Sequence, residues 1–175
     1  MTASEHVLGL GWDDVSAVEE RDGMPTLQVA PQRLRELLEI LKRDLGFEVA
    51  ILVTAVDHSP KAPRFELVQQ FLSIQNNERL RLRCPLEGDN PSAPSCIDLW
   101  PGAAYMEREC WDMFGIQFDG HKNLRRLLMP EAYGHHPLRK EFPHQGIEPD
   151  RLYREWERSR IERAAEREGQ EGVNS

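Results

Sequence analysis

The side chains equipped for chemistry crowd between Glu107 and His144. Glu107, Glu109 and Asp112 offer carboxylates for acid–base work, and His121, His135, His136 and His144 offer imidazoles for a metal ion. Spacing argues against both uses. On a helix Glu107 and Glu109 point about 200° apart, while Arg108 and Asp112 stand at the i,i+4 separation of an ion pair. No two of these histidines share the i,i+4 spacing of a helical metal pair, and no HExxH occurs. Cys84, Cys96 and Cys110 lie far apart, without the CxxC pairs that hold iron-sulfur clusters or structural zinc. Cys110 falls on the apolar side of a predicted helix, where a free cysteine acts as a small core residue. There is no GxGxxG, Walker loop or nucleophile elbow to bind a nucleotide or activate a serine. Elimination leaves recognition of another protein. A free-standing metal-dependent enzyme built on the histidines is the competing reading.

Arg125, Arg126, Arg139 and Lys140 fit recognition, because the planar guanidinium binds a carboxylate bidentately and tolerates an interface better than an ammonium does. Two uses stay open, and they are compatible. The arginines dock a partner, or they pair internally with Glu107, Glu109 and Asp112 and bring helix and ribbon together. The ribbon itself is unusual. Gly120, Pro130, Gly134, Pro137 and Pro143 leave no room for a helix of ordinary length, yet Leu124, Leu127, Leu128, Met129, Tyr133, Leu138 and Phe142 are too apolar for a solvated loop. Such a segment needs a surface, so Leu124 to Phe142 is expected to become ordered against another chain, with Arg139 as an anchor.

The elements that must position these groups follow from periodicity. Ala103, Met106, Cys110 and Met113, with Ala104, Trp111 and Phe114 beside them, repeat at helical spacing, and Gly115 ends that helix. Upstream, Val15 to Glu19 and Thr26 to Val29 flank Arg21-Asp22-Gly23-Met24 as a hairpin. Pro31 opens a helix with a stripe of Leu34, Leu37, Leu38, Leu41 and Leu45, stopped by Gly46. Phe47 to Val56 reads as a central strand covered on both faces. Arg64 to Gln75 and Arg79 to Leu86 are further strands, the latter alternating Arg79, Arg81 and Arg83 with Leu80, Leu82 and Cys84. That basic row is either solvated or a docking face. Pro85 to Ser95 reads as a loop, and Glu148 to Glu168 as a charged, exposed helix.

The fold class implied is α+β, a two-layer domain with helices packed on a mixed sheet of about five strands, plus an extended C-terminal arm and terminal helix. The divisions fall at 1–118 for the domain with its last helix, 119–147 for the arm, and 148–175 for the terminal helix and tail. A length of 175 residues suits one sizeable core. The net charge of -8 argues against nucleic acid or an anionic membrane as the main partner. With no long apolar run and no signal-peptide pattern, the chain is expected to be soluble and cytosolic.

One long stretch also carries a resemblance. Pro101-Gly102-Ala103-Ala104, Glu107-Arg108-Glu109, Asp112-Met113-Phe114-Gly115-Ile116, Gly120-His121, Leu124 through Pro130, and Gly134-His135-His136-Pro137-Leu138-Arg139-Lys140 resemble the signature of the C subunit of respiratory complex I, the NADH-quinone oxidoreductase. Weaker similarity runs upstream through Ala55-Val56-Asp57 and Arg64-Phe65-Glu66-Leu67-Val68. The sequence departs at Lys122, where the family usually has proline, at Glu141, where aspartate is commoner, and in doubling the histidine at 135 and 136.

This resemblance implies an accessory, cofactor-free member of the peripheral arm, without catalytic residues of its own. NADH, FMN, iron-sulfur clusters and quinone would belong to partner subunits. The partners would be the quinone-site D subunit and the iron-sulfur B and I subunits, with membrane contact, on the cytoplasmic side of the cell membrane, only through the complex. The interface residues implied are Glu107, Arg108, Glu109, Asp112, Gly115, His121, Arg125, Arg126, Pro130, Gly134, Pro137, Leu138, Arg139 and Lys140. The equivalent subunit of a related membrane-bound hydrogenase, or of a dehydrogenase with another electron donor, is the alternative within this class.

Overall fold

The computed structural model describes residues 2–146 and 154–162. A five-stranded sheet in the order β1-β2-β5-β4-β3 forms its frame: β1 (Val15–Val18), β2 (Thr26–Val29), β3 (Val49–Asp57), β4 (Phe65–Ser73) and β5 (Glu78–Leu86). All pairings are antiparallel except β2 with β5, so the sheet is mixed. The parallel pair follows from α2 (Pro31–Arg43), which starts beyond β2 and runs back along the sheet before the β3-β4-β5 meander begins. Pro31 occupies its first turn, where a missing N–H costs nothing. Leu34, Leu37, Leu38 and Leu41 are fully buried, each contributing about 1.5 to 3 kcal/mol.

One face of the sheet takes nearly all of the core. Phe65, Leu67 and Phe71 of β4 and Leu80, Leu82 and Cys84 of β5 are buried at alternate positions. Trp100 tilts against Phe71 with ring centroids 4.6 Å apart, and its indole N–H donates to the Phe47 carbonyl at 2.9 Å. α3 (Ala103–Phe114) lies over β3, where the Cys110 thiol meets the Val53 carbonyl at 3.5 Å. The expected two-layer α+β arrangement is therefore present.

Two local expectations are corrected, and one short helix is added. β3 is an edge strand, and Val49, Ile51 and Val56 are each more than a third exposed. A register shift between Ala50 and Leu52 interrupts its alternation, which is why its apolar run imitates a strand covered on both faces. A six-residue helix α1 (Ala3–Leu8) precedes the hairpin, closed by a capping box between Thr2 and Glu5. Its brevity leaves no period to detect. The stretch expected as loop contains β6 (Ser92–Pro94), which pairs in parallel with β7 (Gln117–Asp119) and so ties the entry of α3 to its exit. Of the expected terminal helix, residues 154–162 are helical, and the remainder lies outside the described residues.

Candidate docking site

α3 and the arm after β7 form one hydrogen-bonded unit. A helix leaves its last four carbonyls without intrahelical donors, and in α3 those belong to Trp111, Asp112, Met113 and Phe114. All of them are met. Gly115 N–H donates to the Trp111 carbonyl at 2.8 Å. The arm supplies the rest: Nη1 of Arg126 at 3.1 Å and Nδ1 of His136 at 3.0 Å to the Asp112 carbonyl, Leu138 N–H to Met113 at 3.0 Å, and Nε of Arg139 to Phe114 at 2.6 Å. The guanidiniums also suit the negative end of the helix dipole.

Asp112 organises the start of the arm. Its Oδ2 accepts the backbone N–H groups of Leu127, Leu128 and Met129 at 2.9, 2.7 and 2.9 Å, and its Oδ1 accepts Nη1 of Arg126 at 2.7 Å. Burial alone would raise this carboxyl, but the Met129 N–H, the Arg126 guanidinium and the Leu128 and Leu127 N–H groups outweigh it. They hold it below the ordinary carboxylate range. Arg126, whose side chain is 9% exposed, also donates to the His135 and Tyr133 carbonyls and so pulls the chain back under itself.

Asp57 does the same for the far end. At the end of β3 it accepts Lys140 N–H and Ser59 N–H, each at 2.9 Å, and pairs with Arg64. Burial opposes its ionisation, and Arg64, Lys140 N–H and Ser59 N–H prevail, so this carboxyl too is lowered. Arg64 reaches Glu141 as well, closing the loop of charges. Gly115 sits where the two ends meet. Its φ of 79° favours glycine, and a Cβ there would lie 2.5 Å from Nη2 of Arg139 and 2.7 Å from Nε2 of His136.

The predicted site residues divide into distinct roles. Glu107 does not face solvent: it is fully buried, accepting the Ser95 hydroxyl at 2.6 Å and Cys96 N–H at 2.7 Å. Its position four after Ala103 and three before Cys110 puts it on their stripe. Arg108 does not pair with Asp112. It donates to the Arg125 and Arg126 carbonyls at 3.1 and 2.8 Å, because the arm occupies the space that an i,i+4 pair would use. His121 donates from Nε2 to the Ala104 carbonyl at 3.2 Å and accepts Asn123 N–H on Nδ1 at 3.1 Å, which fixes its tautomer. Pro130 begins a turn closed by Tyr133 N–H, with Gly134 exposed and Pro137 half-buried after it.

Other predicted residues remain available at the surface. Glu109, Arg125 and Lys140 are exposed, and their side chains make no ion pair among the described residues. Leu128 and Leu138 are 62% and 52% exposed, with Tyr105 of α3 at 65%. The premise that the arm's backbone finds no partners within the chain is corrected: Asp112, Asp57 and the Met113 carbonyl accept the Leu127, Leu128, Met129, Lys140 and Leu138 amides. Asp57 and Arg64 join the site; the sequence marks them only within the upstream stretch of weaker family similarity, with nothing that ties them to the arm. A lone Asp–Arg pair seven apart across a turn gives no signal without the fold.

The remaining candidate groups pack within the fold. His135 packs on Tyr133 and Phe142, and His136 on the edge of Trp111. Among the described residues, no group of three or more His, Cys, Asp or Glu is placed to hold a metal ion. The cysteines are free and buried. Burial, with the charge of Glu66 adding to it, pushes the Cys84 thiol up to about 12, and burial pushes Cys96 and Cys110 well above the ordinary thiol value. Burial and the raised thiol values both disfavour the thiolate.

Residues 27–148, from β2 to beyond the arm, match the family model described as the respiratory-chain NADH dehydrogenase, 30 Kd subunit. The chain belongs to this family. A relative in Citrifermentans bemidjiense, named as the C subunit of NADH-quinone oxidoreductase, is 42% identical over 132 residues, covering 75% of this chain and 81% of that one. A Sulfurihydrogenibium protein, named as the C/D subunit of the same enzyme, is 42% identical over 138 residues, but these make up 77% of this chain and 24% of that longer one. Among solved structures, a trypsin-resistant fragment (1-134) of Nqo5 superposes with a TM-score of 0.61 at 26% identity, covering 69% of this chain and 95% of the fragment. A chain from the membrane-bound sulfane sulfur reductase, an archaeal respiratory membrane complex, shares the fold at a TM-score of 0.66 and 24% identity, over 80% of this chain and 85% of that one.

Proposed function

We propose that this chain is an accessory scaffold in the peripheral arm of a proton-translocating NADH-quinone oxidoreductase, holding no cofactor and docking its neighbours through residues 119–147. The observation that carries this reading is the surface of the arm. Its backbone is tied to α3 from within, while Leu128 and Leu138 stay more than half exposed and Arg125 and Lys140 make no ion pair among the described residues. Exposed leucines on a rigid ribbon cost hydrophobic free energy unless a partner covers them. Cations on the same ribbon favour an acidic rim on that partner.

The quinone-site D subunit is the first candidate, because the C/D relative joins a portion like this chain to a much longer one. The iron-sulfur B and I subunits would adjoin it. NADH, FMN, clusters and quinone then belong to the partners, and contact with the cytoplasmic side of the cell membrane comes through the complex; no described helix is long and apolar enough to cross a membrane. A second reading is the equivalent subunit of a related membrane complex with another electron donor, supported at the level of fold by the sulfane sulfur reductase chain.

Co-purification tests both. A tagged chain should bring down the D, B and I subunits with a module that oxidises NADH, whereas Leu128→Asp combined with Arg125→Glu should lower recovery about tenfold while the isolated chain stays folded. Recovery of a hydrogenase or sulfur-reducing module would favour the second reading. A chain recovered alone would contradict both.

A further inference from the structure

An antiparallel sheet with helices on one face ordinarily turns polar side chains to water on the other. Here the outward positions of two strands are largely aliphatic. The register sets Val56, Thr54, Leu52 and Val49 of β3 opposite Glu66, Val68, Gln70 and Leu72 of β4. These positions alternate with Leu67 and Phe71, so they point away from the helices. Val49 and Val56 are 37% and 39% exposed, and Leu52, Val68 and Leu72 are half-buried with no covering element among the described residues.

The neighbouring column on β5 is cationic. Arg83, Arg81 and Arg79 stand opposite Val68, Gln70 and Leu72. Arg81 pairs with Asp22, and Arg83 with Glu20 and Glu66, whereas Arg79 is exposed and makes no ion pair among the described residues. Two adjacent strands lie about 4.8 Å apart, so the aliphatic band has the width that the apolar stripe of one helix, about 10 Å across, can cover. In a chain of net charge -8, Arg79 is the arginine of this column left without an ion pair among the described residues, and it selects an acidic side chain on whatever lies there. Phe, Tyr and Trp are absent from these outward positions, so the stacking platform of a single-stranded nucleic-acid binder is missing.

We propose that the open face of the sheet seats an amphipathic helix of another subunit, its apolar stripe on Val49, Leu52, Val56, Val68 and Leu72 and its acidic side chains over Arg79. The surface is distinct from the arm, and the inference rests on the reading of this chain as a subunit of a larger complex. The helix would complete a third layer on a sheet that the described residues cover on one side.

The test uses the assembled complex. A photo-cross-linking residue in place of Val56 should capture a helical segment with acidic residues in another subunit. Val56→Lys should lower the recovery of complex about tenfold without moving the thermal midpoint of the isolated chain. If Val56→Lys does not fold, Arg79→Glu carries the test from an exposed position, with recovery reduced and the loss depending on salt. Capture of residues 148–175 of the same chain, of a second copy or of lipid would overturn the proposal, as would no capture at all or normal recovery of both variants. A complex that assembles and is sensitive to the arm substitutions, yet yields no partner cross-link at position 56, would end this inference and leave the docking reading intact. A chain that enters no complex would end both.

Discussion

Asp112 is the residue on which the arm depends. It is fully buried and takes three backbone N–H groups and one guanidinium. Asp112→Ala leaves Arg126 buried without its partner, and such a loss costs about 3 to 5 kcal/mol. Urea unfolding should show that drop, and Asp112→Asn a smaller one, since the amide keeps an acceptor oxygen. The pH dependence has a defined sign at two groups. The Asp112 carboxyl is lowered on folding, so its contribution is present above the unfolded value of 3.8 and lost as pH falls through the folded value. His136 is also lowered, by burial first and then by Arg139 and Arg126, with the Asp112 carbonyl opposing. Below 6.5 the unfolded chain therefore takes up this proton before the folded one does, and stability declines with acidification until the folded value is passed. A pH series of unfolding midpoints should show this limb, and His136→Gln should flatten it. At this scale the sequence was legible for type and not for partner. Glu107 belongs to the stripe of Ala103 and Cys110 by spacing alone, but its charge masked that, because buried carboxylates are rare unless paired.

At the scale of elements, β1 to β5 and both long helices lie within a residue or two of their sequence expectations, because alternation and 3.6-residue periods survive wherever one face is buried. Edge and centre were not separable for β3, where a bulge and an aliphatic outward face remove the polar alternation. The arm was the largest surprise. Its prolines and glycines exclude regular structure, and only the fold shows that the carbonyl end of α3 supplies acceptors in its place. Gly115 is where helix and arm touch. Gly115→Ala should combine backbone strain of about 1 kcal/mol or more with a clash against His136 and Arg139. Limited proteolysis of the variant should release the arm while the sheet domain persists; unchanged cleavage would mean that the contact is loose.

Residues 2–146 form a small two-layer domain in which α3 is capped by the chain's own continuation. Fold and family were both legible from the sequence, the first through periodicity and the second through the ordered run from Pro101 to Lys140. Which surfaces face partners was not, because exposure depends on how the arm folds back. A purified chain of this kind should be colourless, with no iron, flavin or stoichiometric zinc by metal analysis and absorption; one metal per chain would revive the histidine-based enzyme.

The central claim is that α3, Asp112 and Asp57 hold the arm in place within a single chain. Hydrogen exchange on the isolated full-length protein tests it most directly, because the Leu127, Leu128, Met129, Leu138 and Lys140 amides each donate to acceptors on α3 or β3. The account predicts strong protection at these amides, lost across Leu127 to Met129 in Asp112→Ala. Exchange at unfolded rates in the isolated wild-type chain, with protection appearing only when partner subunits are added, would contradict it.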